Sequence, residues 1–356
     1  MAQSRDFGLD LVRVIAMTFV VAVHALCVVD WASRSGYWYA TVGQSLFFSA
    51  NALFFILSGM LNLKDRDDGK LGTYYFRKVR AILIPILVFF LIRSIYDCYP
   101  DISVGNVVRT FVYGTLGGYS SIEYWFMFFL TGFLMVAPFL ARIFHNMGKH
   151  AFNIFIGLGL GFHVLWFVAD NMGLPFSWRF PFDGFLLTFC LGALVGRLTR
   201  TERQRRWLYI LTAVCFVTSV TLKYWGWSTG AHDTSPLYTI YSLGLFVLIS
   251  REGGALAASW PAKVKGAITK VAEHSFSVYM VHMMVLMPCS AWFAGMYGIA
   301  SIGGQVVLTL VTVVISLVIA FVADWALIRP CQRGLDKIYE EVKRRRPPKK
   351  QEEPVF

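Results

Sequence analysis

Apolar residues in this chain arrive in blocks near the ~20 residues that a helix needs to cross a ~30 Å hydrocarbon layer, and this limits the fold more than any other feature. Ten blocks can be marked: Phe7–Val29, Trp38–Leu61, Val79–Tyr96, Ile122–Phe144, Ala151–Asp170, Phe180–Leu198, Trp207–Trp225, Ser235–Arg251, His274–Tyr297 and Gly303–Ile328. Barrel strands would instead show ~10-residue segments of alternating polarity. The expected fold is therefore all-α, a polytopic integral membrane protein of about ten transmembrane helices. Composition agrees. Of the 356 residues, 56% are hydrophobic and 15% charged, where a soluble domain carries about 25% charged residues.

The net charge of +12 is explained by where the cations sit. With the N-terminus placed in the cytoplasm, "NLKDRDDGKLGTYYFRKVR", "RIFHNMGKH", "GRLTRTERQRR" and the stretch from Ser250 to Lys270 all fall inside. "DWASRSGY", "NMGLPFSWR", "GWSTGAHDT" and "GIASIG" fall outside and hold few cations. This is the positive-inside pattern, with both termini cytoplasmic and a plasma or inner membrane as the expected location. An extra span at Val104–Tyr119 would invert everything after it. That segment is short and glycine-rich, and reads as an outer-face loop or re-entrant piece. Residues 1–330 are expected to form the transmembrane domain and 331–356 a basic cytoplasmic tail. The final twenty residues, with "KRRRPPKKQEEP", read as disordered and suited to anionic headgroups. No soluble basic domain is present to bind nucleic acid. The six cysteines are scattered without metal or disulfide spacing. No cleavage pattern follows the first block, which should stay as the first helix.

Several polar residues stand where a membrane disfavours them. Arg13 and His24 are eleven residues apart, which brings them within about 20° of the same direction and roughly 16 Å apart along a helix. Asp10 lies one turn before Arg13 on nearly the same face. A charge inside a span costs ~2.5 kcal/mol or more, so it usually meets a partner or a wet cavity. The plainer alternatives are a snorkelling arginine and a hydrogen-bonded structural histidine. In "YYFRKVRAILIP", Arg77 and Arg80 are three apart on one face. Two guanidinium groups there suit a polyanion such as phosphate; the alternative is the topological signal alone. Glu123 opens "EYWFMFF" at the outer edge of the fourth span. Arg179 and Asp183 stand at the edge of the sixth, and His282 lies about two turns inside the ninth. "FFILSGM" has a Ser-Gly pair that permits close helix packing. No zinc motif, P-loop, dinucleotide fingerprint or nucleophile elbow is found.

Taken in order, these pieces resemble the acyltransferase 3 family of membrane acyltransferases. "LDLVRVIAMTFVVAVHA" is like the family's opening arginine, ten residues, then histidine. "ALFFILSGML" is like its second-span signature, "YYFRKVRAILIP" like its R-x-x-R motif with a following proline, "EYWFMFFLTGFLMVAP" like its fourth-span segment, and "HSFSVYMVH" like its late tyrosine–histidine signature. The resemblance spans about Leu9 to Trp325. It implies transfer of an acyl group, usually acetyl, from coenzyme A to a hydroxyl of a cell-surface or lipid-linked carbohydrate. It carries functional positions onto Arg13, His24, Arg77 and Arg80, and less securely onto Glu123 and His282. Acyl-CoA would be a donor substrate; no permanently bound cofactor and no metal are expected. Under this reading Arg77, Arg80 and Arg13 meet the donor phosphates by charge-assisted bonds. Asp10 orients Arg13. His24 is a base toward the acceptor hydroxyl or an acyl relay, and Glu123 and His282 serve the acceptor. Two readings compete: a secondary transporter with a polar intramembrane site, and a subunit that needs a partner enzyme.

Overall fold

The structure, a computed structural model, describes residues 5–28, 34–117, 122–178, 184–227, 235–296 and 301–345. Arg179, Asp183 and the chain after Arg345 lie outside the described residues. Among those described there is no strand. Nine helices are long and apolar enough to cross a membrane, and Gly184–Leu198 adds a shorter apolar one. Each of the ten sequence blocks falls on one of them, as an all-α polytopic membrane protein requires.

In chain order the helices are α1 (Phe7–Cys27), α2 (Arg34–Phe47), α3 (Ser49–Asn62), α4 (Leu71–Lys78), α5 (Ile84–Asp97), α6 (Val104–Thr115), α7 (Trp125–Asn146), α8 (Lys149–Asn171), α9 (Gly184–Leu198), α10 (Glu202–Tyr224), α11 (Pro236–Val247), the single turn α12 (Gly254–Leu256), α13 (Ala262–Met296), α14 (Ile302–Ala323) and α15 (Arg329–Arg345). The second span is built from α2 and α3, which meet at Phe48.

α1 is the central post. It packs against α13, α3, α14 and α2, and Asp6 starts it by accepting the Gly8 N–H at 2.9 Å. Lipid tails are as apolar as leucine, so helices in a bilayer associate through close backbone approach and polar contacts. The α3–α9 pair shows this at Gly59 and Gly192. A Cβ on Gly59 would lie 1.8 Å from the Phe189 carbonyl oxygen, and one on Gly192 2.1 Å from the Ile56 oxygen. The "FFILSGM" segment therefore works through its glycine.

Three local findings bear on the site. Between α4 and α5 the helix widens into a π turn at Val79–Leu83 just before Pro85. Proline lacks an N–H and crowds the carbonyl four residues earlier, so a widened turn lets the helix run through it. Val104–Thr115 is a helix capped by Ser103, not a loop. At twelve residues it is about 18 Å long and cannot cross a membrane. The chain after Pro330 differs more. α14 continues through a π turn at Asp324–Ile328 into α15, so the basic segment is helical as far as Arg345. Its apolar residues Leu335, Ile338, Tyr339 and Val342 recur at helical spacing. Tyr339 stacks on Phe76 of α4 with ring centroids 3.7 Å apart.

Candidate active site

The first turn of α1 carries a fully buried carboxylate, Asp10. Such a charge persists only with partners on both oxygens. Oδ2 accepts from Arg5 Nε at 2.6 Å and from Thr269 Oγ1 at 3.2 Å. Oδ1 accepts from Arg13 Nη1 at 2.5 Å and Arg5 Nη2 at 3.2 Å. One carboxylate thus grips Arg5 in a two-pronged bond and holds Arg13 beside it. Arg5 also donates to Glu273 at 2.6 Å and to the Thr269 carbonyl, which ties the start of α1 to α13. The bonds to Asp10 hold the Arg5 guanidinium above its usual range, against the opposite pull of burial. Arg13 sits with a side chain 25% exposed and paired with Asp10.

His24 lies three turns further along α1. Its ring centroid is 5.2 Å from that of His282 on α13. The His282 Nδ1 lies 2.6 Å from the Tyr279 carbonyl oxygen. A nitrogen facing a carbonyl must carry the proton, so this contact assigns the tautomer and makes Nε2 the acceptor. Two buried tyrosines fix the segment that brings Glu123 here. Tyr279 Oη donates to the Glu123 carbonyl at 2.6 Å, and Tyr124 Oη donates to the Met280 carbonyl at 2.9 Å. This reciprocal pair clamps the entry to α7 onto α13. Glu123 is buried and shares a small cavity with His24, Tyr279 and Asn51. The neighbouring His274 belongs elsewhere. It is paired with Asp324, which also accepts from Ser277 at 2.5 Å, and together they join α13 to α14.

Three cavities follow one another along α1. The first, about 550 Å³, is lined by the charged residues Arg5, Asp6, Arg13, Lys64 and Glu273 together with Leu9, Met60, Leu61 and Ala272. The second, about 290 Å³, is largely apolar, with Phe54, Leu57, Phe126 and Leu130 among its walls and Arg13, Ser58, Asn62, Lys78, Ser275 and Tyr279 as polar groups. The third, about 40 Å³, contains His24 and Glu123 and again Tyr279. Arg13 borders the first two and Tyr279 the last two. A charged chamber with three cations against two carboxylates, an apolar passage and a histidine–carboxylate pocket therefore lie in sequence.

Residues 6–322 match a family model described as an acyltransferase domain, acyltransferase 3. The chain belongs to the acyltransferase 3 family. Neither the comparison with curated proteins nor the one with solved structures gave a match. The protein is thus a multi-pass membrane acyltransferase, with nearly all of its described helices inside the matched region.

Within this acyltransferase the residues singled out from sequence divide into two groups. Asp10, Arg13, His24, Glu123 and His282 are gathered around α1 and α13. Arg77 and Arg80 line none of the three cavities. Arg77 is exposed. Arg80 is in the π turn and its Nε donates to Asp336 of α15 at 2.8 Å, while Gln332 donates to its carbonyl oxygen. The residue between them, Lys78, is the one that reaches the apolar passage. Sequence reading missed Arg5, Lys64 and Lys78. Lys78 stood in the same basic motif, and helical spacing alone did not mark it as the cation that faces the passage.

Proposed function

We propose that this acyltransferase moves an acetyl group from acetyl-CoA to a hydroxyl of a cell-surface or lipid-linked carbohydrate. The order of the three cavities along α1 carries this reading. Arg5, Arg13 and Lys64 supply the donors that suit the phosphates of coenzyme A. The apolar passage suits its slender thioester arm. Arg77 and Arg80, outside the chamber, add long-range attraction for the same anion. Coenzyme A is cytoplasmic, so the chamber opens to the cytoplasm, as do both termini, and the membrane is the plasma or inner membrane.

The reaction then takes place at the His24 pocket. The imidazole accepts the proton of the acceptor hydroxyl while its oxygen attacks the thioester carbonyl. The C–O bond forms, the C–S bond breaks, and the leaving thiolate takes the proton from the imidazolium. His282, with its tautomer held by Tyr279, orients the pair of imidazoles. Glu123 accepts hydrogen bonds from the acceptor's other hydroxyls. At 40 Å³ the pocket has room for waters rather than a sugar, so the acceptor enters with side-chain movement around Phe48 and Asn51.

Purified protein incubated with radiolabelled acetyl-CoA and envelope polysaccharide from the producing cells tests the reading. Label on the glycan, lost in His24→Ala, supports it. Movement of a solute without consumption of acetyl-CoA would instead favour a transporter.

A further inference from the structure

A group of aromatic side chains lies beyond the His24 pocket. Trp38 on α2 and Tyr224 at the end of α10 stack face to face, with centroids 4.5 Å apart and planes 10° from parallel. Tyr37 meets the same tyrosine edge-on at 6.2 Å. All three are exposed, with Trp38 at 38% and Tyr224 at 43%. They stand at the His24 end of α1. Gln44 Nε2 lies 4.0 Å from the Sγ of Cys27, which is one turn past His24. The Lys223 ammonium sits 5.3 Å from the centre of the Phe48 ring, and Phe48 lines the His24 pocket. A series of neighbouring side chains therefore leads from the pocket through Phe48 and Lys223 to the stacked pair.

Trp and Tyr at a membrane interface commonly form a belt at headgroup level, and this is the plain alternative for these rings. Here two rings from different helices are locked together, and a lysine and an amide stand beside them. Sugar rings present apolar C–H faces that lie flat on an aromatic plane, with hydroxyls projecting sideways toward donors and acceptors. Trp38 precedes Phe48 by ten residues, about 15 Å of helix, which takes several sugar rings to cover.

We propose that Trp38 and Tyr224 form a distal acceptor subsite that holds a carbohydrate chain several rings away from the hydroxyl being acylated, with Lys223 and Gln44 along the path. This rests on the carbohydrate-acceptor reading above and gives that acceptor a length. The subsite adds affinity only for chains long enough to reach it.

The test uses the full-length protein, radiolabelled acetyl-CoA and envelope polysaccharide separated by size into monosaccharide and oligosaccharide fractions. Trp38→Ala and Tyr224→Ala should each raise the oligosaccharide KM by about three- to tenfold, the scale of one aromatic contact. The monosaccharide KM and the acetyl-CoA affinity should stay unchanged. Trp38→Phe, which keeps a ring face, should recover most of the loss. Unchanged oligosaccharide KM in both alanine variants would assign the pair to the interfacial belt and overturn the subsite. Equal losses on both fractions, or loss of acetyl-CoA affinity, would show that the pair merely supports the fold, and would overturn it as well. Wild-type protein that labels no glycan in either fraction would remove the acceptor reading itself, and the subsite with it. Labelled oligosaccharide with insensitive variants removes the subsite alone.

Discussion

Arg13 and Arg80 are both arginines three residues from another charged group on a helix, yet the fold uses them differently. Arg13 is held by a buried carboxylate that also holds Arg5, and it borders two cavities. Arg80 meets Asp336 across a contact where both side chains are 39% exposed. Coulomb attraction across an exposed contact is weakened by water and salt. Across the Asp10 contacts it is weakened less, because the carboxylate itself is fully buried, although Arg13 and Arg5 are 25% and 45% exposed. Helical spacing says which residues share a face. What stands opposite that face decides whether a guanidinium becomes a preorganised anion site or a surface tie.

The comparison can be broken most sharply at Asp10. Asp10→Ala removes the shared acceptor of Arg5, Arg13 and Thr269 and should destabilise the purified protein by about 2 kcal/mol, the scale of lost charge-assisted hydrogen bonds. Thermal unfolding in detergent reads this directly. A change under ~1 kcal/mol would mean that the carboxylate is no hub.

Donor binding should come next. Arg13→Ala should weaken acetyl-CoA binding by about ten- to a hundredfold, the scale of a lost charge-assisted bond. Arg5→Ala should fall near the lower end, because its side chain is 45% exposed. Calorimetry on the folded variants is the measurement.

The smallest effects belong to the R-x-x-R motif of Arg77 and Arg80. Arg80→Ala should cost less than about 1 kcal/mol of stability and leave donor affinity within about threefold. Arg77→Ala should slow donor association at low salt and have little effect once the Debye length shrinks to a few ångströms. Losses at Arg77 or Arg80 larger than at Arg13 would reverse the ranking, and would require α15 to move aside so that Arg80 can join the donor.

The same contrast explains what was legible before the structure. The apolar blocks were plain because a bilayer imposes length on every helix, and nine of the ten fall on helices long enough to cross among the described residues. Asp10 and Arg13 could be paired because one helical turn separates them. Arg5 could not, because its bond to Asp10 depends on how the chain enters α1. Lys78 was passed over for its two arginine neighbours because a sequence does not show which face of that helix meets the apolar passage. His24, Glu123 and His282 were each marked, but their meeting depends on Tyr124 and Tyr279 clamping α7 to α13. α15 was hidden by its charge, although its apolar residues kept helical spacing.

The central claim is that donor binding and chemistry occupy opposite ends of α1. It is tested most directly by measuring acetyl-CoA affinity and glycan turnover in the same preparations of His24→Ala and Arg13→Ala. His24→Ala should bind donor within about twofold of wild type and show no turnover at any donor concentration, because an interaction made only during reaction has been removed. Arg13→Ala should bind weakly and regain part of its rate as donor is raised. Substantial turnover in His24→Ala, or loss of donor binding there equal to that in Arg13→Ala, would contradict the account.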